Sequence, residues 1–437
     1  MNYVIVGNSV AAIGAIRSIR ELDQQGNITV ISREKHNVYG RPLISYLLGG
    51  LINEKRMSYL PDDFYAQQRI NLLLDSEVVA VDSKAKMVKL AGGDLIPYDK
   101  LLLATGGDPF IPPIEGLADK ERVFTFTTWD DAAKLKGLAP DITRAVVIGG
   151  GLIGLKAAEG LNLLNKSVTV IELADRVLSS AFDRPAGKIV ARKMKANGID
   201  VINEDTVVRI EGEGGEITGV TLKSGDFILC DTVIVAIGVR PAAGFLKGSG
   251  VEVNRGIVVD NTMQTSVTNV YAAGDVAEAT DFFSGQKNPM PIWPDAYTQG
   301  DVAGIAMAGG KKEYEGGLAM NSIEFFNVST ISMGVTNPSN PSEYEIHTYQ
   351  DIQNYQYRKI VLQNNRLVGA VLVGNVERAG IFSGLIKEKI DMTPFKQNLL
   401  LPDFGFINLS KEIRNRLFSP QGKAVDNGKR AERAVGH

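Results

Sequence analysis

Residues 145–172 read AVVIGGGLIGLKAAEGLNLLNKSVTVIE, and this stretch restricts the fold more than any other part of the chain. A β-branched run enters a glycine turn, a segment of helical period follows through Gly154, Ala157, Ala158 and Leu161, and a second apolar strand ends on Glu172. Gly149, Gly151 and Gly154 permit a tight turn, close approach of the backbone to a pyrophosphate, and close helix–strand packing. The helix that opens with Leu152 and Ile153 would present amide donors and partial positive charge to that pyrophosphate. Glu172 stands where a carboxylate accepts hydrogen bonds from both hydroxyls of an adenosine ribose. A free 2′-hydroxyl suits it and a 2′-phosphate would be repelled, so the stretch is read as a site for NAD(H) over NADP(H). An ordinary packed βαβ unit can carry the same glycines, and it is the terminal acid that favours the nucleotide.

A weaker copy of the pattern opens the chain. Residues 3–6 read as a strand, Gly7-Asn8-Ser9-Val10-Ala11-Ala12 as the turn, residues 11–22 as a helix and residues 28–31 as the next strand. Gly7 is retained, whereas Ser9 and Ala12 replace the second and third glycines, which hinders close approach to a phosphate without blocking it. Ser32 holds the position of the ribose-binding acid and Glu34 follows two residues on, so either could take the ribose hydroxyls. Two more apolar strands end in turns of the same kind: YDKLLLATGG closes on Ala104, Thr105 and Gly106, and VYAAGDVAE on Gly274 and Asp275. Both would finish at the carboxyl edge of a nucleotide-binding sheet. Thr105 and Gly106 would let the chain pass close to the cofactor, while Asp275 could accept bonds from a polyol chain, cap a helix, or do both.

With these residues in place the chain resembles the FAD- and NAD(P)H-dependent reductases of the pyridine nucleotide-disulphide oxidoreductase-like family. The resemblance is carried by residues 7–12, Ala104-Thr105-Gly106, residues 149–154, Ala236-Ile237-Gly238-Val239-Arg240-Pro241, Thr265-Ser266 and Gly274-Asp275, in the family's order. It implies an α/β fold with two Rossmann-like dinucleotide-binding domains, the FAD-binding one interrupted by the NAD-binding one, and a C-terminal α+β interface domain. FIPPIEG and GVRPAAG would be the crossovers. The expected division is 1–112 and 244–320 for the FAD-binding domain, 113–243 for the NAD-binding domain, 321–409 for the interface domain and 410–437 for a basic tail. Family membership further implies FAD, with Asp275 on its ribityl chain and Gly7, Ser9 and Ala12 near its pyrophosphate, and Gly238 is counted among the cofactor-binding residues.

Cysteine usage narrows the branch. Cys230 is the only cysteine, so no internal disulfide, CxxC pair or cysteine-ligated cluster can form, and its apolar context FILCDTVIVAIG suits a buried filler. Members that reduce disulfides, or take oxygen fully to water, resemble one another in a reactive cysteine about forty residues from the start, a position that falls on Pro42 here. Instead, Arg41, Pro42, Ser45 and residues 47–49 resemble the Arg-Pro-Pro-Leu-Ser-Lys stretch of ferredoxin, rubredoxin and nitrite reductase-type members. Tyr46 stands where those members usually have a lysine near the flavin, and Lys156 where many have a glutamate. One expectation is that this pair is rewritten, with Lys156 supplying the cation from the other side; the other is a solvated lysine. Ile292-Trp293-Pro294 with Ala296, Gln299 and Gly300 resembles the segment passing over the flavin, which puts Trp293 on the flavin side, the alternative being a core tryptophan.

A net charge of −3 offers no field to hold nucleic acid, and no apolar run approaches the ~20 residues that span a bilayer. The N-terminal MNYVIVGNS has neither a basic region nor a cleavage site, so a cytoplasmic location is expected. His36, His347 and His437 have no ligand spacing, and no metal site is expected. From residue 321 the pattern changes to alternating strands, SIEFFNVSTISMG, YQYRKIVLQ and RLVGAVLVG, followed by a helical segment over 378–389; such a domain commonly pairs subunits or covers the flavin. Beyond Leu409, seven Lys and Arg face three acids, which reads as a solvated tail or as a basic arm for an acidic ferredoxin-like partner. Without internal redox thiols, electrons must leave the chain. The leading expectation is an FAD-dependent NAD(H):acceptor oxidoreductase serving an iron-sulfur electron carrier, or the iron-sulfur subunits of a 2-oxoacid or aldehyde oxidoreductase complex. The alternatives are a peroxide-forming NADH oxidase and a flavoprotein whose redox state controls binding.

Overall fold

Apolar runs such as Tyr3-Val4-Ile5-Val6 and Leu101-Leu102-Leu103 lack the alternation of half-exposed strands, and they form strands covered on both faces. In the computed structural model, which describes residues 1–418, these strands build a five-stranded parallel sheet. Its order is Val270–Ala272, Lys100–Leu103, Asn2–Val6, Asn27–Ile31 and Ile70–Leu73. A second parallel sheet runs Ile199–Asn203, Ser167–Glu172, Arg144–Ile148, Thr232–Val235 and Val123–Phe124. Each glycine turn sits where its sheet's central strand passes into a helix.

The helices are α1 (Val10–Leu22), α2 (Ile44–Leu48), α3 (Phe64–Gln67), α4 (Trp129–Leu138), α5 (Leu152–Leu163), α6 (Arg184–Ala196), α7 (Trp293–Met307), α8 (Ala379–Lys387) and α9 (Lys411–Phe418). Small residues set how closely they pack. A Cβ on Gly300 would lie 1.9 Å from the Ala11 carbonyl oxygen and one on Gly304 2.5 Å from that of Ala15, so α7 crosses α1 backbone to backbone. That contact carries the N-terminus of α7 over the first sheet.

The two sheets are joined by a two-stranded connection in which Gly107–Pro109 pairs antiparallel with Val239–Pro241. Thr105 Oγ1 donates to the Ala242 carbonyl at 2.8 Å, and the Arg240 guanidinium lies 3.7 Å from the centroid of the Phe110 ring. The outgoing and returning crossovers therefore run side by side.

A five-stranded antiparallel sheet follows, in the order Met320–Phe325, Val328–Gly334, Arg366–Val373, Gln356–Gln363 and Glu345–Asp351. The last of these was not expected, because EIHTYQD has no apolar face; it is a largely exposed edge strand. One face of the sheet, with Met333, Ile360, Leu362 and Leu372, packs under Phe382 and Leu385 of α8. The other, with Phe325, Val328, Tyr357, Val371 and Val373, shares a core with Leu155 and Ala158 of α5 and Ile189 of α6. Both faces are used within the chain, so a subunit contact through this domain is left its edges and helices.

The basic segment beyond Leu409 begins as a docked helix: Arg416 Nε pairs with Glu388 Oε2 at 2.8 Å, and Leu417 packs on the α8 core. Residues 419–437, which hold the remaining charges of the expected arm, lie outside the described residues. Among the described residues no helix is long and apolar enough to cross a membrane.

Candidate functional site

The first sheet's turn is pressed against its neighbour. Gly7 has φ +112°, and a Cβ there would lie 2.0 Å from the Ala104 carbonyl oxygen, so only glycine passes between the ends of these two strands. Ser9 stands in extended conformation at the N-cap of α1 with its hydroxyl unused for capping, and Ala12 is buried beneath the turn. Asn8 Nδ2 and Ser45 Oγ are buried without a protein partner, which fits a ligand rich in oxygen atoms. Ser32 and Glu34, left as alternatives by the sequence, differ in what they offer. Ser32 is buried and its Oγ accepts the Glu34 amide at 3.2 Å. The Glu34 carboxylate reaches the Arg41 guanidinium at 2.6 Å and accepts the Tyr39 hydroxyl at 2.7 Å. Arg41 also donates to the Thr127 carbonyl at 2.7 Å, and Pro42 lies exposed on the same short turn. His36 stacks on Trp129 at 4.3 Å, which fastens this loop to α4.

Two neighbouring strands of the same sheet, Lys100–Leu103 and Val270–Ala272, run on into turns with Gly106 at φ +69° and Gly274 at φ +80°. Asp275 is followed by the strand Ala277–Thr280, and the next helix starts at Trp293, so the helix-cap alternative for Asp275 falls. Burial raises its carboxyl above the usual range, Arg41 lowers it and Asp295 raises it again. Such a carboxyl gains from hydroxyl donors, as a polyol provides. The turn is held from behind by the fully buried Gln299, whose Oε1 accepts the Gly274 amide at 2.8 Å while its Nε2 donates to Asp295 at 2.8 Å. Tyr314 also donates to Asp295, at 2.7 Å. Trp293, first residue of α7, is half-buried and meets Tyr59 edge to face at 5.7 Å.

In the second sheet Gly149 has φ +108°, with the Ala236 carbonyl 2.4 Å from where a Cβ would stand, and a Cβ on Gly154 would come within 1.9 Å of the Gly149 carbonyl. Gly151 caps α5 in extended conformation facing open space, with Leu152 and Ile153 half-buried in the first turn. Glu172 lies beside this turn, its Oε2 accepting the Gly150 amide at 2.6 Å and its Oε1 the Ala174 amide at 2.7 Å. Gly238, at φ +126°, is exposed on the other flank.

Lys156 is not a solvated surface lysine. Only 12% of its side chain is exposed, and it forms an ion pair with Glu159, three residues on in α5. Its Nζ donates to the Glu324 carbonyl at 3.1 Å and lies 4.7 Å from the centroid of the Tyr46 ring. Burial, then Glu159 and Glu324, raise the Tyr46 hydroxyl above its usual range, so it stays protonated. A lysine–glutamate pair is thus present within one helix. Glu159 escaped the sequence reading, although an acid at i+3 from a lysine in GLKAAEGL is a signal for it.

Cys230 is buried and its thiol is pushed up to about 12, chiefly by burial, which suits the filler role. Among the described residues no group of His, Cys, Asp or Glu could hold a metal ion.

Residues 1–300 match the family described as pyridine nucleotide-disulphide oxidoreductase, and residues 320–390 match the rubredoxin NAD+ reductase C-terminal domain. The chain is 36% identical over 403 residues to the NADH-dependent phenylglyoxylate dehydrogenase subunit epsilon of Aromatoleum evansii, covering 91% of this chain and 94% of that one. It is 35% identical over 318 residues to an NADH oxidase of Methanocaldococcus jannaschii, covering 71% and 70%. Among solved structures, an NAD-dependent persulfide reductase from A. fulgidus superimposes with a TM-score of 0.82 at 30% identity, over 90% of this chain and 77% of that one.

Proposed function

The chain belongs to the pyridine nucleotide-disulphide oxidoreductase family, and from that premise we propose that it passes electrons between NAD(H) and an external iron-sulfur protein or the iron-sulfur subunits of a larger complex. FAD and NAD(H) are the family's cofactors. Bound FAD supplies the exchange between a hydride donor and one-electron carriers.

The residues present fit both groups. FAD would be held by Gly7, Ser9 and the unpartnered Asn8 Nδ2 and Ser45 Oγ, by the Glu34–Arg41 pair, by residues 104–106, and by Gly274 and Asp275. NAD(H) would lie along Gly149, Gly151, Leu152, Ile153 and Gly154, with Glu172 toward its ribose and Gly238 on the far flank. Glu172 keeps acceptor capacity beyond its two backbone bonds, because a carboxylate has about four acceptor sites. Trp293 with Tyr59 would bound the flavin side, and Tyr46 with Lys156 the junction of the domains.

One observation carries the choice of acceptor: the chain's single thiol is buried and stays protonated, so no second redox centre of cysteines exists to take the electrons onward. Near-complete coverage of a named subunit of a dehydrogenase complex supports partner subunits, and the match to a rubredoxin reductase C-terminal domain supports a small electron carrier. The M. jannaschii relative favours the second reading, an oxidase that delivers electrons to oxygen.

The test is to reduce the protein with NADH in the absence of oxygen, mix it with aerated buffer, and follow return of the yellow flavin band. Slow recovery after fast bleaching is the expected outcome. Recovery as fast as steady NADH consumption would replace the partner reading with the oxidase.

A further inference from the structure

The turn joining Met320–Phe325 to Val328–Gly334 contains one residue poorly suited to it, Phe326. Its central residues, Phe326 at φ +46° and Asn327 at φ +66°, both lie in the left-handed region, where a two-residue hairpin favours Asn-Gly and a phenylalanine is strained. That conformation has a partner outside the hairpin. The Phe326 amide donates to Glu159 Oε1 at 2.7 Å, the other carboxylate oxygen holds Lys156, and the Lys156 ammonium donates to the Glu324 carbonyl at 3.1 Å. Two side chains of α5 therefore grip the backbone at Glu324 and Phe326 of the C-terminal domain. Both are nearly buried, with side-chain exposures of 12% and 9%, and Phe325 closes over them at 5.9 Å from the ammonium.

A third part of the chain meets the same spot. Helix α2 lies directly on α5, where a Cβ on Gly160 would come within 2.9 Å of Leu48 and one on Gly49 within 3.0 Å of Leu163. Tyr46 of α2 covers the ammonium. The pair thus stands where the first sheet's domain, the second sheet's domain and the C-terminal domain converge. Lys156 lies five residues along α5 from the cap at Gly151, about 7.5 Å at 1.5 Å per residue.

We propose that Glu159 and Lys156 are positioning residues for the nicotinamide, tying α5 to the hairpin turn so that the nucleotide-binding end of the helix stays at a fixed offset from the flavin domain. The inference rests on α5 being the NAD(H) helix. A helix is stiff over this distance, so a grip between one and about two turns behind the cap governs where the cap sits. Loosening it leaves the contacts that bind the nucleotide intact and degrades the approach of the reacting atoms, on which rate depends steeply.

Glu159→Gln keeps an acceptor for the Phe326 amide and removes the charge, while Lys156→Met leaves the Phe326 bond in place. In FAD-loaded protein each is expected to slow the limiting rate of flavin bleaching by NADH about 10- to 100-fold while half-saturating NADH stays within about threefold. Lys156→Arg is expected to restore most of that rate. Amide exchange over residues 324–328 should accelerate in Glu159→Gln and Lys156→Met and return in Lys156→Arg. A parental limiting rate in either folded variant, a loss confined to half-saturation, unchanged exchange, or failure of both variants to retain FAD would overturn the proposal. Parent protein that NADH does not bleach would instead refute the reading of the site. Transfer to a partner is not scored, so a wrong acceptor leaves this result standing.

Discussion

Single positions fix the two glycine turns through backbone space, which is why they are legible in the sequence. Gly7 and Gly149 occupy left-handed backbone against a neighbouring strand's carbonyl, a place no side chain fits. Charged residues were harder to read, because what a carboxylate does depends on what folds against it. Glu34 is committed to Arg41 and Tyr39, and Glu159 to Lys156 and a turn 167 residues away. Cys230 shows burial acting on a titration. With its thiol pushed up to about 12 from a usual 9.0, about one molecule in 10⁴ carries thiolate at pH 8. A thiol reagent is therefore expected to leave native protein unlabelled at pH 8 and to label it stoichiometrically in denaturant; rapid native labelling would refute the burial. The sign for stability follows: above pH 9 the unfolded chain loses this proton while the folded chain keeps it, so the thiol's contribution falls as pH rises from about 9 toward 12.

At the scale of elements, α7 braces one end of the first sheet. Its glycines let it lie on α1, its buried Gln299 braces the Gly274–Asp275 turn, and its first residue is Trp293. Gly300→Val is expected to push α7 off Ala11, lower stability by about 1–3 kcal/mol, and cut flavin absorbance per mole of purified protein, checked by thermal unfolding and spectrum together. A variant with parental flavin content would show that the crossing tolerates side chains. Helix α9 carries the opposite lesson. Its sequence, KEIRNRLF, reads as polar tail, and it is ordered by Arg416 and Leu417 against α8, contacts invisible to local pattern.

At the scale of the whole molecule, polar contacts cross between the second sheet's helices and the C-terminal sheet alongside their shared core. Asp183 caps α6 through the Ala186 amide and also meets Lys359 Nζ at 3.0 Å and the Tyr357 hydroxyl at 2.6 Å, both from the C-terminal sheet. Lys359→Met leaves a nearly buried carboxylate without its cation, so a loss of about 3 kcal/mol is expected in urea unfolding. Exchange in Gln356–Gln363 should rise before that of the parallel sheets; equal stability would mean the seam is carried by apolar contact alone. The sequence by itself determined the two strand–turn–helix units with their glycine turns, and it limits the chain to one cysteine. Those properties depend on residues close in the chain or on composition. Only the tertiary structure decided that Asp275 caps no helix, that the Lys156–Glu159 pair is buried, that the C-terminal sheet spends both faces inside the chain, and that a strained turn is held by α5. The held turn depends on surfaces that meet across more than a hundred residues, 167 of them between Glu159 and Phe326, and local periodicity carries no record of that meeting.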